Sequence, residues 1–501
     1  MTALTILSSA VLYILSILCV SFAHPGVFFS EGLAFFGWIS YVPVFLLIRR
    51  SSLKMSVVWG ALYGFARFFA LMSWLFSYNV PALLGISIVM AGENALILFL
   101  CALLQKKTSR FSWLFMPVLV LAFEFFRTTG ELGFSYGVIG YSQWRIIPLV
   151  RSAHIFGVWG VSFVIMLFGS VAADFLATIS HGAARDTERV SHKKCFFSCL
   201  SCSPRPGKWL FCMGFLLILL VSGFLPSNST GEKKSLSIVL VQSNADPWKE
   251  GVESYWDELQ SLMAITDKAL EAHPETQLVV WSETAVVPDV VRHYTERKDS
   301  ARYMISRHLL QYIDSKSCAF VLGNNHQEAA ANGGGSYNSA LLFVPGKNVL
   351  PPEPEVYNKM RLVPFTEQVP YPWILSPFAH IFGSDAHYWA KGTYPTVFSV
   401  AGIQFCTPIC FEDTFSSGIR DICRKGAELI VSLSNDSWSH SLACQNQHLS
   451  MAVFRCAENH VPAVRSTASG QTCFIDASGR VTSELEPFTA DYLFGTIRIG
   501  E

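Results

Sequence analysis

Cys410 ends a short apolar run, Gly402-Ile-Gln-Phe-Cys-Thr-Pro-Ile-Cys, and is followed at once by Phe411 and the acidic pair Glu412 and Asp413. A cysteine at such a bend between a strand and a helix is placed to act as a nucleophile. The bend exposes the sulfur, a helix N-terminus favours the thiolate, and the next backbone N–H can point at an oxyanion. Thr414 is the expected cap of a helix running to about Lys425. One of 13 cysteines is weak evidence alone, because a free cysteine is commonly an inert buried hydrophobe. Two further stretches strengthen it. Glu283 stands just after the apolar run ending at Trp281, and Lys359 lies in Tyr357-Asn-Lys-Met-Arg-Leu-Val-Pro-Phe-Thr-Glu367. A carboxylate, an ammonium and a thiol at strand ends are what acyl transfer from an amide or ester requires. The carboxylate takes the thiol proton, the sulfur attacks a carbonyl, and the lysine with the Phe411 N–H stabilises the tetrahedral oxyanion.

The elements that must position these groups lie in the second half of the chain. Strands are expected at 236–242, 278–281, 319–323, 337–344, 429–433, 472–475 and 492–499, and helices at 253–272, 302–313 and 445–459. Residues 397–400 and 403–406 read as a hairpin across Ala401-Gly402. Strands outnumber helices and come in pairs as well as in β-α alternation. The expected fold is therefore an α/β domain of two sheets with helices outside, an α-β-β-α sandwich, spanning 235–501 after a polar linker at 227–234.

The first 226 residues differ in kind. Over the whole chain only 15% of residues are charged and 14% are Phe, Trp or Tyr, and the apolar runs collect in the first half. Seven segments, at 4–23, 26–48, 55–78, 82–104, 111–126, 156–178 and 209–225, are long enough or nearly so to cross a bilayer core of about 30 Å. The first lacks a basic start and an Ala-x-Ala cleavage site, so it is expected to be a retained helix rather than a signal peptide. Basic residues follow the second span (Arg49, Arg50, Lys54), the fourth (Lys106, Lys107, Arg110) and the sixth (Arg185, Arg189, Lys193, Lys194, Arg205, Lys208). The positive-inside rule then puts the N-terminus in the cytoplasm and the α/β domain outside, in a bacterium the periplasm. Arg127, Arg145 and Arg151 are the exception, and the aromatic stretch 127–154 is expected at the outer interface.

Charges at span depth, Arg67, Glu93, Glu124 and Asp174, have two readings: a polar pocket for a lipid headgroup, or structural ion pairs such as Arg67 with Glu93 or Glu124. Cys195, Cys199 and Cys202 lie at metal-like intervals near His192, and the plainer reading is a reduced cytoplasmic loop. Lys+Arg and Asp+Glu are equal at 37 each, so no net field points to nucleic acid.

Several motifs in order give this chain a closer resemblance. Gly140-Tyr-Ser-Gln, Gly157-Val-Trp-Gly-Val-Ser-Phe163, Trp281-Ser-Glu-Thr, Tyr357-x-Lys-x-x-Leu-Val-Pro-Phe-x-Glu367, Cys410-Phe-Glu412, Ser434-Asn-Asp-Ser-Trp438 and Arg465-Ser-Thr resemble the apolipoprotein N-acyltransferases, a membrane-embedded branch of the nitrilase, or carbon-nitrogen hydrolase, superfamily. The resemblance implies a Glu283 general base, a Lys359 oxyanion cation and a Cys410 nucleophile. It implies Glu367 as a second essential acid that orients the site, Glu412 as a carboxylate supporting the elbow or the chemistry, and Trp248 and Trp438 as aromatics near the acyl-chain entrance. For either tryptophan alone, ordinary core packing is the competing reading. It also implies a phospholipid donor, diacylglyceryl-cysteine apolipoproteins as acceptors, and neither metal nor organic cofactor.

The chain departs from the pattern at Thr366, where Gly is usual, at Phe411, where Tyr is common, and after its last expected strand, where the family carries an eighth span. Two other readings stay open: a membrane-tethered amidase that gives the acyl group to water, and a catalytically silent protein that binds lipid or lipoprotein.

Overall fold

The computed structural model describes residues 3–188, 206–225, 234–248, 250–328, 334–371, 373 and 389–500. The cysteine cluster 195–202, His192 and nearly all of the polar linker lie outside the described residues. The chain divides into two compact units, Met1–Thr129 with Gly133–Leu225, and Gly130–Leu132 with Pro226–Glu501.

The first unit is helical. Its helices are α1 (Ala3–Ala23), α2 (Ala34–Arg50), α3 (Leu53–Leu71), α4 (Val80–Lys107), α5 (Ser112–Arg127), a short α6 (Ile147–Arg151), α7 (Ala153–Glu188) and α8 (Pro206–Ser222). One of the longer helices overlaps each of the seven expected segments. The second starts later than expected, at Ala34, and the third ends at Leu71 and passes into a 3₁₀ turn at Ser73–Ser77. The helix α7 kinks at Gly157, whose φ of 61° no continuous helix accommodates. Among the described residues, two helices, Val80–Lys107 and Ala153–Ile179, are long and apolar enough to cross a membrane. Residues 138–144 are all buried in this unit, with Gln143 donating to the Ala34 carbonyl at 2.8 Å.

Arg67, Glu93, Glu124 and Asp174 are all paired. Arg67 lies 3.7 Å from Glu124, which also accepts from Tyr41 at 3.2 Å, and Arg127 lies 3.4 Å from Glu93. Asp174 is bound by Arg49 at 3.1 Å and by Lys208. Of the two readings open from the sequence, the ion-pair reading describes all four residues. Arg67 and Glu124 are 3% and 2% exposed, so removal of one leaves the other buried and unpaired. Arg67→Ala is expected to cost about 3–5 kcal/mol, by analogy with other broken buried pairs. It should lower the thermal midpoint of the detergent-solubilised chain, and Arg67→Met with Glu124→Gln should recover part of the loss. Equal midpoints for wild type and Arg67→Ala would show that the pair carries no stability.

The second unit is built on two six-stranded sheets. The first sheet has the strand order β12-β1-β2-β3-β4-β5, and the second β11-β10-β9-β8-β7-β6. The strands are β1 (Lys234–Gln242), β2 (Leu278–Trp281), β3 (Ala319–Glu328), β4 (Gly335–Phe343), β5 (Glu355–Asn358), β6 (Phe398–Val400), β7 (Ile403–Cys406), β8 (Leu429–Ser434), β9 (Ala463–Thr467), β10 (Cys473–Ile475), β11 (Val481–Glu484) and β12 (Asp491–Ile499). In each sheet three adjacent strands, β1-β2-β3 and β7-β8-β9, run parallel, and the flanking strands are antiparallel.

Period-two alternation explains the layers. Leu236, Ile238 and Leu240 of β1 share one core with Phe405, Leu429, Val431 and Val464 of the second sheet. Val239 and Val241, on the opposite face, pack with Leu259 and Leu262 of α9 (Val252–Ala272) and with Ile305, Leu309 and Ile313 of α11 (Ser300–Asp314). A short α10 (Val290–Glu296) precedes α11. Ser466 of β9 ties the sheets together, its hydroxyl lying 3.2 and 3.1 Å from the carbonyls of Val241 and Val280.

The hairpin at Ala401-Gly402 forms as the sequence indicates. Positive φ at both turn residues, 51° and 75°, matches the twist of the strands it joins. Three strands have no counterpart in the sequence reading: β5, β9 and β11. All are short, and β9 is buried along its whole length and so lacks alternation.

Candidate active site

Glu283 follows β2 by two residues, Lys359 follows β5 directly, and Cys410 lies four residues beyond β7. Three separate strand ends therefore deliver the three groups, and the carboxyl ends of parallel strands are where open α/β folds place their chemistry.

The Lys359 ammonium is the centre of the arrangement. It is 1% exposed and donates to Glu283 Oε1 at 3.0 Å and to Glu367 Oε1 at 2.9 Å. Burial alone would lower its pKa, but Glu283 and Glu367 outweigh burial and hold it well above the ordinary lysine value. Asn338 of β4 spans the same two carboxylates, its amide donating to Glu283 at 2.8 Å and to Glu367 at 3.3 Å. The second oxygen of Glu283 accepts the Asn435 N–H at 3.0 Å, and that of Glu367 accepts the Val363 N–H at 2.7 Å. Glu367 thus orients the lysine and closes its own loop.

Cys410 is partly buried and sits at φ 51°, in the left-handed region, which costs a non-glycine residue about 1–2 kcal/mol. Pro408 shapes the approach. It supplies no N–H, its carbonyl accepts from Leu433 at 3.1 Å, and Ile409 makes one last bridge to β8 before the chain turns. Glu412 holds the turn. Its buried carboxylate accepts the N–H groups of Ile409 at 2.9 Å, Met360 at 2.8 Å and Arg361 at 3.0 Å, and the Tyr357 hydroxyl at 2.9 Å. It therefore fastens the Cys410 elbow to the segment carrying Lys359, and of its two implied roles the structure favours support. Phe411 is buried, its ring edge-on to Phe415 at 5.0 Å.

Two expectations about the elbow are corrected. Thr414 does not cap a helix; its hydroxyl donates to the Phe411 carbonyl within a 3₁₀ turn, Cys410–Thr414, and α12 (Ser416–Cys423) begins only afterwards, with no side-chain cap. Nor is the sulfur a ready thiolate at a helix N-terminus. Burial and then the Glu283 charge push the Cys410 thiol well above its ordinary value, against the pull of Lys359. The tryptophans also differ from a core reading. Trp248 is 56% exposed on the loop after β1, and Trp438 is half-buried in a 3₁₀ turn, Ser437–Ser439, after β8.

A group that the sequence analysis did not single out lies behind the elbow. His448, on α13 (Leu442–Asn459), places Nε2 2.7 Å from Asp413 and 3.0 Å from the Cys410 carbonyl, and Nδ1 3.0 Å from Asp436. Arg465 of β9 pairs with Asp413 and lies 3.8 Å from Asp436. Burial would lower the His448 pKa, but the two aspartates lift it to about 10; burial would raise Asp413, but Arg465 and His448 bring it down to about 2. Ligand atoms of Cys410, Asp436 and His448 lie within 4.8 Å of one another. The set is a poor metal site, because both ring nitrogens already face carboxylates and a ligating imidazole must be free on one. Asn338 and His448 lacked any sequence signal, since an isolated polar residue in a strand or helix resembles a surface residue until its neighbours are known.

The comparisons with known proteins bear on this geometry. Residues 12–171 match the model of the apolipoprotein N-acyltransferase N-terminal domain, and residues 239–501 match the carbon-nitrogen hydrolase model. The chain is 34% identical to apolipoprotein N-acyltransferase 1 of Treponema denticola and 38% identical to apolipoprotein N-acyltransferase 1 of Treponema pallidum. The alignments cover 97% and 98% of this chain and 90% of each relative. The chain belongs to the apolipoprotein N-acyltransferase family. Its second unit is accordingly the nitrilase-like α/β domain of an N-acyltransferase, and the two sheets described above are the layers of that domain.

Two outcomes follow. Gly323 of β3 presses on the segment carrying the carboxylate: a Cβ there would stand 2.6 Å from Glu283 Cα and 2.5 Å from Thr284 N. Gly323→Ala must therefore displace Glu283, and a shift near 1 Å is expected to cost about 100-fold in turnover with the fold retained by circular dichroism. Unchanged turnover would show that the position of Glu283 is not critical.

The second outcome concerns pH. The raised pKa of His448 adds stability that is complete below its unfolded value near 6.5 and is lost as pH rises towards about 10. The lowered pKa of Asp413 adds stability present above 3.8 and lost as pH falls towards about 2. Thermal midpoints of the whole chain should fall on both limbs, and His448→Gln should flatten the alkaline one; an alkaline limb identical in that variant would refute the assignment.

Proposed function

We propose that this chain transfers a fatty acyl group from a phospholipid to the N-terminal α-amine of the diacylglyceryl-cysteine of apolipoproteins, completing lipoprotein maturation. The observation that carries the reading is the buried Lys359 ammonium held between Glu283 and Glu367 beside a strained Cys410 elbow, in a chain that matches its family over nearly its full length.

Glu283 is the general base, Lys359 the oxyanion cation and Cys410 the nucleophile. Because the thiol is held protonated, deprotonation accompanies attack. Glu283 takes the Sγ proton as the S–C bond forms on the ester carbonyl. Lys359 and the Phe411 N–H stabilise the oxyanion. Collapse expels the lysophospholipid alkoxide, which recovers the proton from Glu283 and leaves a Cys410 thioester. In the second half-reaction the apolipoprotein amine attacks the thioester and Glu283 takes the amine proton; the C–S bond breaks, and Glu283 passes that proton to the departing sulfur, which regenerates both the thiol and the carboxylate. Glu367, Asn338 and Glu412 position this set, and Trp248 and Trp438 are the acyl-chain contacts.

In this reading residues 1–226 form a membrane domain of about seven helices, 227–234 a linker and 235–501 the catalytic domain. The chain is a multi-pass protein of the bacterial inner membrane, with the chemistry on the periplasmic side. Lys and Arg after the second, fourth and sixth segments support that orientation, and the buried ion pairs of the first unit are compatible with a low-dielectric surround.

The test is acyl trapping. Membranes containing the chain, given phospholipid labelled in the sn-1 acyl group and no acceptor, should accumulate an adduct on Cys410 detectable by mass spectrometry. A diacylated lipopeptide with a free amine should discharge it onto that amine. Cys410→Ser should abolish N-acylation; retention of activity would overturn the mechanism. Label recovered as free acid with lipopeptide present would point to the amidase, and absence of adduct to a silent binder.

A further inference from the structure

We infer that His448 is a positioning residue for the nucleophile: as an imidazolium clamped between Asp413 and Asp436 it fixes the Cys410 carbonyl and cancels the Asp436 charge beside the sulfur. This rests on the reading of Cys410 as nucleophile and adds a group to it.

Backbone geometry is the first ground. Cys410 stands at φ 51°, a conformation that persists only where the surroundings over-determine it. Glu412 holds the N–H of the preceding residue, Ile409. On the other side of the sulfur-bearing residue, His448 Nε2 reaches the Cys410 carbonyl at 3.0 Å. The elbow is therefore gripped on both flanks, and the imidazole sets the direction of the peptide that leads to the Phe411 N–H. A donor at that carbonyl fixes where the N–H points, and so where an oxyanion would be received.

Charge is the second. Asp436 and His448 each place a polar atom within 4.8 Å of the Cys410 sulfur. Asp436 alone opposes a thiolate, since like charges disfavour one another at that range, and it raises the Cys410 thiol. The groups facing the pair are Glu283 and Lys359 from the first sheet, Asp413 from the 3₁₀ turn, Asp436 after β8, Cys444 and His448 from α13, and Arg465 from β9. Asp413, Asp436, His448 and Arg465 are all at least 98% buried, and together they carry two negative and two positive charges. Loss of the imidazolium leaves one net negative charge behind the sulfur, with no water to screen it. Both imidazole N–H groups are needed. Nδ1 meets Asp436 at 3.0 Å, and Nε2 meets the Cys410 carbonyl at 3.0 Å with Asp413 beside it at 2.7 Å as an ion-pair partner.

The experiment follows alkylation of Cys410 by iodoacetamide across pH in the detergent-solubilised full chain, read on the Cys410 peptide by mass spectrometry, together with kcat and KM for N-acylation. His448→Gln is expected to slow alkylation at pH 7.5 about ten-fold, move its pH midpoint upward and lower kcat with KM little changed. Asp436→Asn in the same chain, which removes the uncompensated charge, should return the midpoint towards wild type. A residue that only fills space would not move the midpoint or be rescued by a change of charge. An unshifted midpoint in folded His448→Gln would overturn the inference. Should that variant fail to fold, Asp436→Asn alone must lower the midpoint, and a midpoint at or above wild type would overturn it equally. The wild-type acyl trap separates the two claims: no acyl adduct on Cys410 refutes the nucleophile, whereas an adduct with an unshifted midpoint refutes only the role of His448.

Discussion

A lysine ammonium that is 1% exposed cannot exist in a protein interior without compensation, and Lys359 is compensated by two carboxylates at 3.0 and 2.9 Å. The other features of the site follow from that requirement. Two carboxylates around one cation leave a surplus of negative charge and unfilled acceptor positions. Asn338, the Asn435 N–H and the Val363 N–H fill them. Those donors come from a strand of the first sheet, a loop leaving the second, and the turn between Lys359 and Glu367. Satisfying one buried charge therefore fixes the relative placement of both sheets at the end where the chemistry is read.

The elbow obeys the same logic from the other side. Glu412 joins the Cys410 turn to the Lys359 segment through three backbone N–H groups and the Tyr357 hydroxyl. Burial raises Glu412, opposed by those donors. The Asp413, Asp436, His448 and Arg465 group braces the turn from behind. Adjacent residues Glu412 and Asp413 thus point into different networks, one reaching the lysine and one reaching α13.

The helical unit repeats the theme with different partners. Arg67 with Glu124, Arg127 with Glu93, and Asp174 with Arg49 and Lys208 leave each of these charges facing one of opposite sign. Arg67 also donates to the Gly137 carbonyl at 2.5 Å, which ties the irregular, buried stretch before α6 to the helix α3.

The sequence by itself determined the elements whose pattern is local. Seven apolar segments became helices, and alternating or continuous apolar runs became β1, β2, β3, β4, β7, β8 and β12 within a few residues. Glu283, Lys359 and Cys410 were legible because each stands just after a strand, and strand ends converge in an α/β domain; Glu367, in the turn beyond Lys359, was legible only from its motif. What only the tertiary structure decided was everything that depends on partners distant in sequence. The start of α12, the half-buried state of Cys410, the bridging amide of Asn338 and the imidazolium of His448 are of this kind. Thr414 has the chemistry of a cap, but its hydroxyl is taken by the Phe411 carbonyl. His448 has the ordinary chemistry of a pH-sensitive side chain, but two aspartates 12 and 35 residues away in sequence remove it from that range. Propensity and periodicity are properties of neighbours along the chain. Burial, charge compensation and hydrogen-bond satisfaction are properties of neighbours in space, and they exist only once the fold has closed.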